Sequence, residues 1–149
     1  MKNEKDLKSL VKEILGKGAL MSLGVLDGDE VWVSDVLYVF DDSLCLFWRS
    51  EEKTRHSKAI GHHPQAAATI TITESTTAKN IGLQVSGIAE KLSGEYKDLM
   101  QKDLHKKGQH HAKDQSTLPP GESWYKLTPK KIDIIYEPLW GYHKKSIEL

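Results

Sequence analysis

Short segments that alternate apolar and polar residues recur along this chain, and turn signals close most of them. Ala66 to Thr73 is the clearest case. Ala66, Ala68, Ile70 and Ile72 share one side, and Thr69, Thr71 and Thr73 the other. Ile81 to Leu92 repeats the period through Leu83, Val85, Gly87 and Ala89. Successive side chains of a strand point to opposite faces, so this pattern buries one face of a sheet. Upstream, Ala19 to Leu26 ends at Asp27-Gly28-Asp29, a tight hairpin signal. Val31 to Phe40 is rich in β-branched and aromatic residues, and Asp41-Asp42-Ser43 turns it into a third strand, Leu44 to Trp48. Trp124 to Leu127 and Lys131 to Tyr136, parted by Thr128-Pro129, read as two closing strands. Strands in hairpin-like succession form antiparallel sheets, and a sheet of this size protects its edges by closing. The expectation is a mainly β chain built as a small antiparallel barrel.

Helical periodicity interrupts the strands. Leu7, Leu10, Val11, Ile14 and Leu15 share one helical face, with Gly16 and Gly18 ending the helix, which would cap the barrel. A short polar helix is expected from Glu51 to about Gly61, stopped by Pro64, and another is marked by Tyr96, Leu99, Met100 and Leu104. Lys106 to Glu122 reads as a mobile loop or lid. The 149 residues fit a single domain, 1–149. Charges of 21 Lys+Arg against 21 Asp+Glu exclude a broadly basic surface, so neither nucleic acid nor membrane is an expected partner. One cysteine, Cys45, excludes an intrachain disulfide and reads as a buried filler. No apolar run approaches the ~18 residues of a membrane span, and the charged Met1 to Asp6 is not expected to act as a signal region. The expected location is cytoplasmic.

Chemistry concentrates in Trp48-Arg49-Ser50-Glu51-Glu52-Lys53-Thr54-Arg55-His56-Ser57-Lys58, where a strand hands over to a helix. Ser50 is a candidate N-cap, with Glu51 and Glu52 in the first turn. First-turn amides have no intrahelical acceptor and can bind an anion. Across Arg49–Lys58 there are four Lys/Arg against two Glu, with His56 in addition. On composition alone a solvated charged helix explains the same run.

The order and spacing of Trp32-x-Ser34-x-x-x-Tyr38-x-Phe40-Asp41, then Phe47-Trp48-Arg49-Ser50-x-x-x-Thr54-Arg55-His56-Ser57, resembles the pyridoxamine 5'-phosphate oxidase-like superfamily of FMN-binding split barrels. Gly82 to Ala89 resembles that family's strand after the phosphate helix. Trp124 to Ile132 and Leu139 to Tyr142 are similar to its closing segments. The resemblance implies an antiparallel, Greek-key-like split barrel with flanking helices and a homodimer with FMN at the subunit interface. It implies an oxidoreductase that exchanges electrons with a small-molecule donor or acceptor. By position, Ser50, Thr54, Arg55 and His56 would hold the FMN phosphate with Arg49 beside them. Val33, Ser34, Asp35 and Val36 would line the ring, and Gln84 would reach the cofactor from a neighbouring strand. Trp140 and Gly141 lie near the family's C-terminal cofactor contacts. Val33 and Tyr38 stand where pyridoxamine phosphate oxidases carry Arg and Lys, and their C-terminal Arg-x-His is absent. The resemblance therefore points to the general members of the superfamily, not to vitamin B6 oxidation. A non-catalytic flavin- or haem-binding protein on the same barrel, or a module for nucleotides and other anions, would share these residues.

Asp35 falls in an otherwise apolar row, with Val31, Val33, Leu37 and Val39, which is expected to face inward. It reads either as a catalytic acid or base or as a group satisfied by hydrogen bonds at a cleft. His62-His63, His105 and His110-His111 do not form a converging ligand set, so no metal site is expected.

Overall fold

The computed structural model describes residues 4–109 and 117–149. Among them, eight strands form one curled antiparallel sheet with four helices around it. Helix α1 (Glu4–Lys17) leads into the hairpin β1 (Leu20–Asp27) and β2 (Glu30–Leu37). Two short strands follow, β3 (Val39–Phe40) and β4 (Leu46–Glu51). Helix α2 (Arg55–His62) then returns the chain to β5 (Gln65–Thr71) and β6 (Ile81–Lys91). After α3 (Lys97–Lys106) come β7 (Glu122–Tyr136), the short α4 (Glu137–Trp140) and β8 (Lys145–Glu148). The spatial order is β2-β1-β5-β6-β7-β4-β3, with β8 also paired to β7. Because β7 is 15 residues long, it serves β6, β4 and β8 at once and carries the curl of the sheet.

The alternation of β5 and β6 is obeyed: Ala66, Ala68, Ile70, Leu83, Val85 and Ala89 are buried. They meet the apolar face of α1, where Leu10, Val11, Ile14 and Leu15 are all sealed from water. Trp48 and Tyr125 stack at 5.8 Å on paired strands, both fully buried. A second cluster lies beneath α3, where Leu99, Met100 and Leu104 cover Phe47, Cys45 and Trp124. No described helix is long and apolar enough to cross a membrane.

Several expected boundaries move. The run from Val31 to Phe40 is broken at Tyr38, whose hydroxyl donates to the Leu15 carbonyl at 2.6 Å and ties the strand to α1. Leu44 sits at φ 66°, so the third strand starts at Leu46 and not at Leu44. The two expected closing strands are one, because Pro129 falls opposite Gly87 at a bulge where the missing N–H costs nothing. On β2 the row expected to be internal is turned outward: Val31 is 71% exposed and Val33 57%. The middle of the expected Lys106–Glu122 loop, including His110 and His111, lies outside the described residues.

Candidate functional site

The site is built where β4 ends and α2 begins. Ser50 is not the N-cap; it remains in β4, paired with Ser123 of β7. Thr54 caps the helix, its backbone extended and its Oγ1 accepting from the Ser57 amide at 3.4 Å. Glu51 and Glu52 therefore precede the helix, and Glu52 accepts from Ser123 Oγ at 2.7 Å and pairs with Lys91. This geometry folds the turn back on itself. His56 Nε2 lies 3.0 Å from Ser50 Oγ and 3.3 Å from Thr54 Oγ1, and Thr54 Oγ1 is 2.7 Å from Ser57 Oγ. Both His56 and Ser57 are buried. Burial lowers the His56 pKa below the usual histidine value, so at neutral pH the ring is uncharged and holds one donor and one acceptor nitrogen.

Arg49 reaches the same concavity, a hollow of about 340 Å³ that also touches Asp35, Val36, Ser50 and His56. Its guanidinium is engaged from two sides. Nε lies 3.2 Å from Asp103 Oδ2 of α3, and one terminal nitrogen lies 3.3 Å from Glu122 Oε2 of β7. Lys107 comes within 3.0 Å of the same Asp103 oxygen. Ionisable groups lining the hollow, His56 aside, are three carboxylates (Asp35, Asp103, Glu122) against two cations (Arg49, Lys107). The local excess of basic residues in the sequence does not become an excess of positive field here.

Arg55 points elsewhere. It pairs with Asp27 and Glu30 at the tip of the β1–β2 hairpin and stacks over the Trp32 ring at 4.3 Å. The remaining expected residues divide. Asp35 accepts from Ser22 Oγ at 2.6 Å across the hairpin, and with Val36 it borders the Arg49 hollow. Ser34 lies half-buried between them and Val33 on the same strand. Val33 and Gln84 instead border a second hollow of about 440 Å³ on the outer face of the sheet, floored by Gly24, Ala67 and Ser86. There Lys144 donates to Gln84 Oε1 at 2.9 Å, and Asp133 accepts from Ser146 Oγ at 2.6 Å. That bond, with Lys131 and Lys144 nearby, holds the Asp133 carboxyl below the usual carboxylate range. Trp140 packs against Tyr136 and lies under Lys145, and Gly141 ends α4.

Asp103, Glu122, Lys107 and Lys144 were not among the expected site residues. Asp103 carried a signal, since it falls on the otherwise apolar face of α3 with Leu99, Met100 and Leu104. A larger concavity, about 1060 Å³, opens between the end of α1, β3 and α3, and contains none of the expected residues. Its lysines cap the sheet edge: Lys102 donates to the Phe40 carbonyl and Lys106 to that of Tyr38. Burial pushes Lys106 down to about 8. Among the described residues no group of three or more His, Cys, Asp or Glu side chains could hold a metal ion. Cys45 is a buried free thiol whose pKa is raised, first by burial, which makes it a packing residue.

No family model matches the chain. A UPF0306 protein of Yersinia pseudotuberculosis is 32% identical over 94 residues, which span 62% of this chain and 64% of that relative. A pyridoxamine 5'-phosphate oxidase-like protein of Listeria innocua superposes with a TM-score of 0.71 at 19% identity, over 87% of this chain and 98% of that one. A heme-binding protein of Mycobacterium smegmatis superposes with a TM-score of 0.75 at 15% identity, over 99% of this chain and 59% of that one. The chain has the split-barrel fold of these structures.

Proposed function

We propose that this chain binds flavin mononucleotide and works as an FMN-dependent oxidoreductase on a small molecule, in the cytoplasm, as a homodimer with FMN between the copies. One observation carries the reading: Ser50, Thr54, Ser57 and neutral His56 converge at the α2 entry, with Arg49 on the wall of the same hollow. Hydroxyls and a neutral imidazole can turn donors toward phosphate oxygens, and the first-turn amides of α2 add two more. The fit is chemical in kind, and it sets a condition on charge, since Arg49 must loosen from a carboxylate to meet a phosphate. Arg55, held at the hairpin, contributes by fixing β2 against α2. Val36 and Asp35 border the hollow and would face the ring, and Asp35, held by Ser22, is one group there that could accept or return a proton.

Bound FMN would supply one- and two-electron transfer; position, exclusion of water and local charge come from the protein. The outward apolar row of β2, Val31 and Val33, with Leu20 on β1, gives a second copy a surface to cover, beside the second hollow that Val33 borders. The test is quenching of FMN fluorescence on titration with protein. Ser50→Ala and Thr54→Ala should each weaken FMN by at least about tenfold, the effect of losing a hydrogen bond to a charged group. Absence of quenching by wild-type protein, with no flavin absorbance after incubation and desalting, overturns the reading. Oxidation of a nicotinamide donor by the loaded protein separates an enzyme from a carrier.

The heme-binding neighbour from Mycobacterium smegmatis, which covers 99% of this chain, supports a second reading: a haem-binding protein on the same barrel. Among the described residues His105 and His143 are its candidate ligands. A Soret band on haem addition that persists in Ser50→Ala and disappears in a histidine variant would favour it.

A further inference from the structure

We propose that Asp103 is a specificity-determining residue of the α2 site, its carboxylate competing with a ligand's phosphate for the guanidinium of Arg49. The proposal rests on the phosphate reading above and adds to it an internal rival for the anion.

Helix α3 lays one face on the barrel, and Asp103 is the acidic residue on that face, 2% exposed among Leu99, Met100 and Leu104. A carboxylate sealed to this degree normally has its oxygens filled by aligned hydrogen bonds, because an uncompensated buried charge is costly. Asp103 departs from this. Its Oδ2 makes no aligned hydrogen bond, although Arg49 Nε lies 3.2 Å away and Lys107 Nζ 3.0 Å. At that oxygen the two cations are attracted by charge without an aligned donor. Glu122 takes another nitrogen of the same guanidinium. Arg49 thus faces two carboxylates, neither in the paired, planar geometry that guanidinium favours, while a phosphate offers that geometry.

The consequence is selective. A planar ring without a phosphate has no need of Arg49 and does not meet this competition. A phosphorylated ligand must displace Asp103 or share Arg49 with it, in a hollow that already holds three carboxylates against two cations. Asp103 therefore lowers affinity for phosphorylated ligands specifically. A purely structural role, pinning α3 to β4, would instead make its loss harmful to every ligand alike.

The experiment measures dissociation constants of FMN and of riboflavin, which lacks the phosphate, by fluorescence quenching in wild type and Asp103→Asn. A thermal melt of each protein is run alongside. Loss of the competing charge should tighten FMN about five- to tenfold and leave riboflavin within about twofold. FMN affinity that is unchanged or weaker in a cooperatively melting variant overturns the proposal, as does an equal change for both ligands. If Asp103→Asn does not fold, Glu122→Gln carries the same test on the second carboxylate, and a failure to tighten FMN there overturns it. Wild type that binds FMN while neither variant tightens it refutes the competition alone. Wild type that binds neither ligand refutes the phosphate reading and the competition with it.

Discussion

Replacing Gly87 by alanine tests the element on which the whole site is hung. Gly87 lies at the bulge of β6, where the register to β7 shifts between Ser86 and Gly87, and it faces Pro129. A Cβ built there runs into the Thr128 carbonyl oxygen, with the Thr128 carbonyl carbon at 2.9 Å and the Pro129 Cα at 3.0 Å. All three are backbone atoms of the strand that also carries β4 and β8, so no side-chain rotation relieves the clash. Overpacking commonly costs about 1–3 kcal/mol, and a backbone-only clash belongs at about 3. Unfolding entropy of about 2.1 cal/mol/K per residue gives about 0.31 kcal/mol/K over the chain's 149 residues. The expected fall in Tm is therefore about 10 °C. Gly61→Ala is the matched control: it lies exposed in α2, and a Cβ there meets nothing within 4 Å. It should gain up to about 1 kcal/mol from helix propensity, or about 3 °C. Melts followed by far-UV circular dichroism read both. If Gly87→Ala melts within about 2 °C of wild type, the close approach of β6 and β7 does not constrain the barrel.

Three further outcomes follow from the same structure. Tyr38→Phe leaves the Leu15 carbonyl without its buried donor and should cost about 1–3 kcal/mol, read as a lower denaturation midpoint at unchanged slope. His56 has a folded pKa below its unfolded value of about 6.5, so the unfolded chain binds the extra proton. Stability is then complete above about pH 6.5 and falls as pH drops through the folded pKa. His56→Gln should lose less Tm than wild type between about pH 7.5 and 5.5, and an equal loss in both would remove His56 as the cause. Val33→Asp places a charge on the exposed row of β2 and should convert the proposed dimer to monomer in sedimentation, while wild type sedimenting as a monomer refutes the dimer itself.

What the amino-acid pattern could reveal of the fold followed from periodicity. Strands β5 and β6 and helix α1 bury one regular face each, and their apolar positions were legible for that reason. β2 is the instructive exception. Its valines have strand character on both faces, so alternation alone could not say that Val31 and Val33 look outward while Val36 and Tyr38 look in. The break at Tyr38 depends on a hydroxyl that reaches a carbonyl 23 residues away, and the continuity of β7 depends on a bulge in its partner. Neither is local. β8 was invisible because Lys145–Glu148 has one buried residue, Ile147, and is ordered by its pairing with β7.

The site divides along the same line. The cluster of Ser50, Thr54 and His56 was legible because it is made within seven residues of chain, by a turn whose capping chemistry is local. Its electrostatics were not. Counting Arg49 to Lys58 gave a positive cluster, but Arg49 is answered by Asp103 and Glu122, and Arg55 by Asp27 and Glu30. Every one of those carboxylates is more than twenty residues away in the chain. A charge count over a window treats neighbours in sequence as the only neighbours, whereas the field in a hollow is set by whatever the sheet order and the flanking helices bring to its wall. In a chain with as many acids as bases, most local excesses meet a distant complement. The affinity of such a site for an anion is then decided less by how many cations it holds than by how firmly those cations are already held.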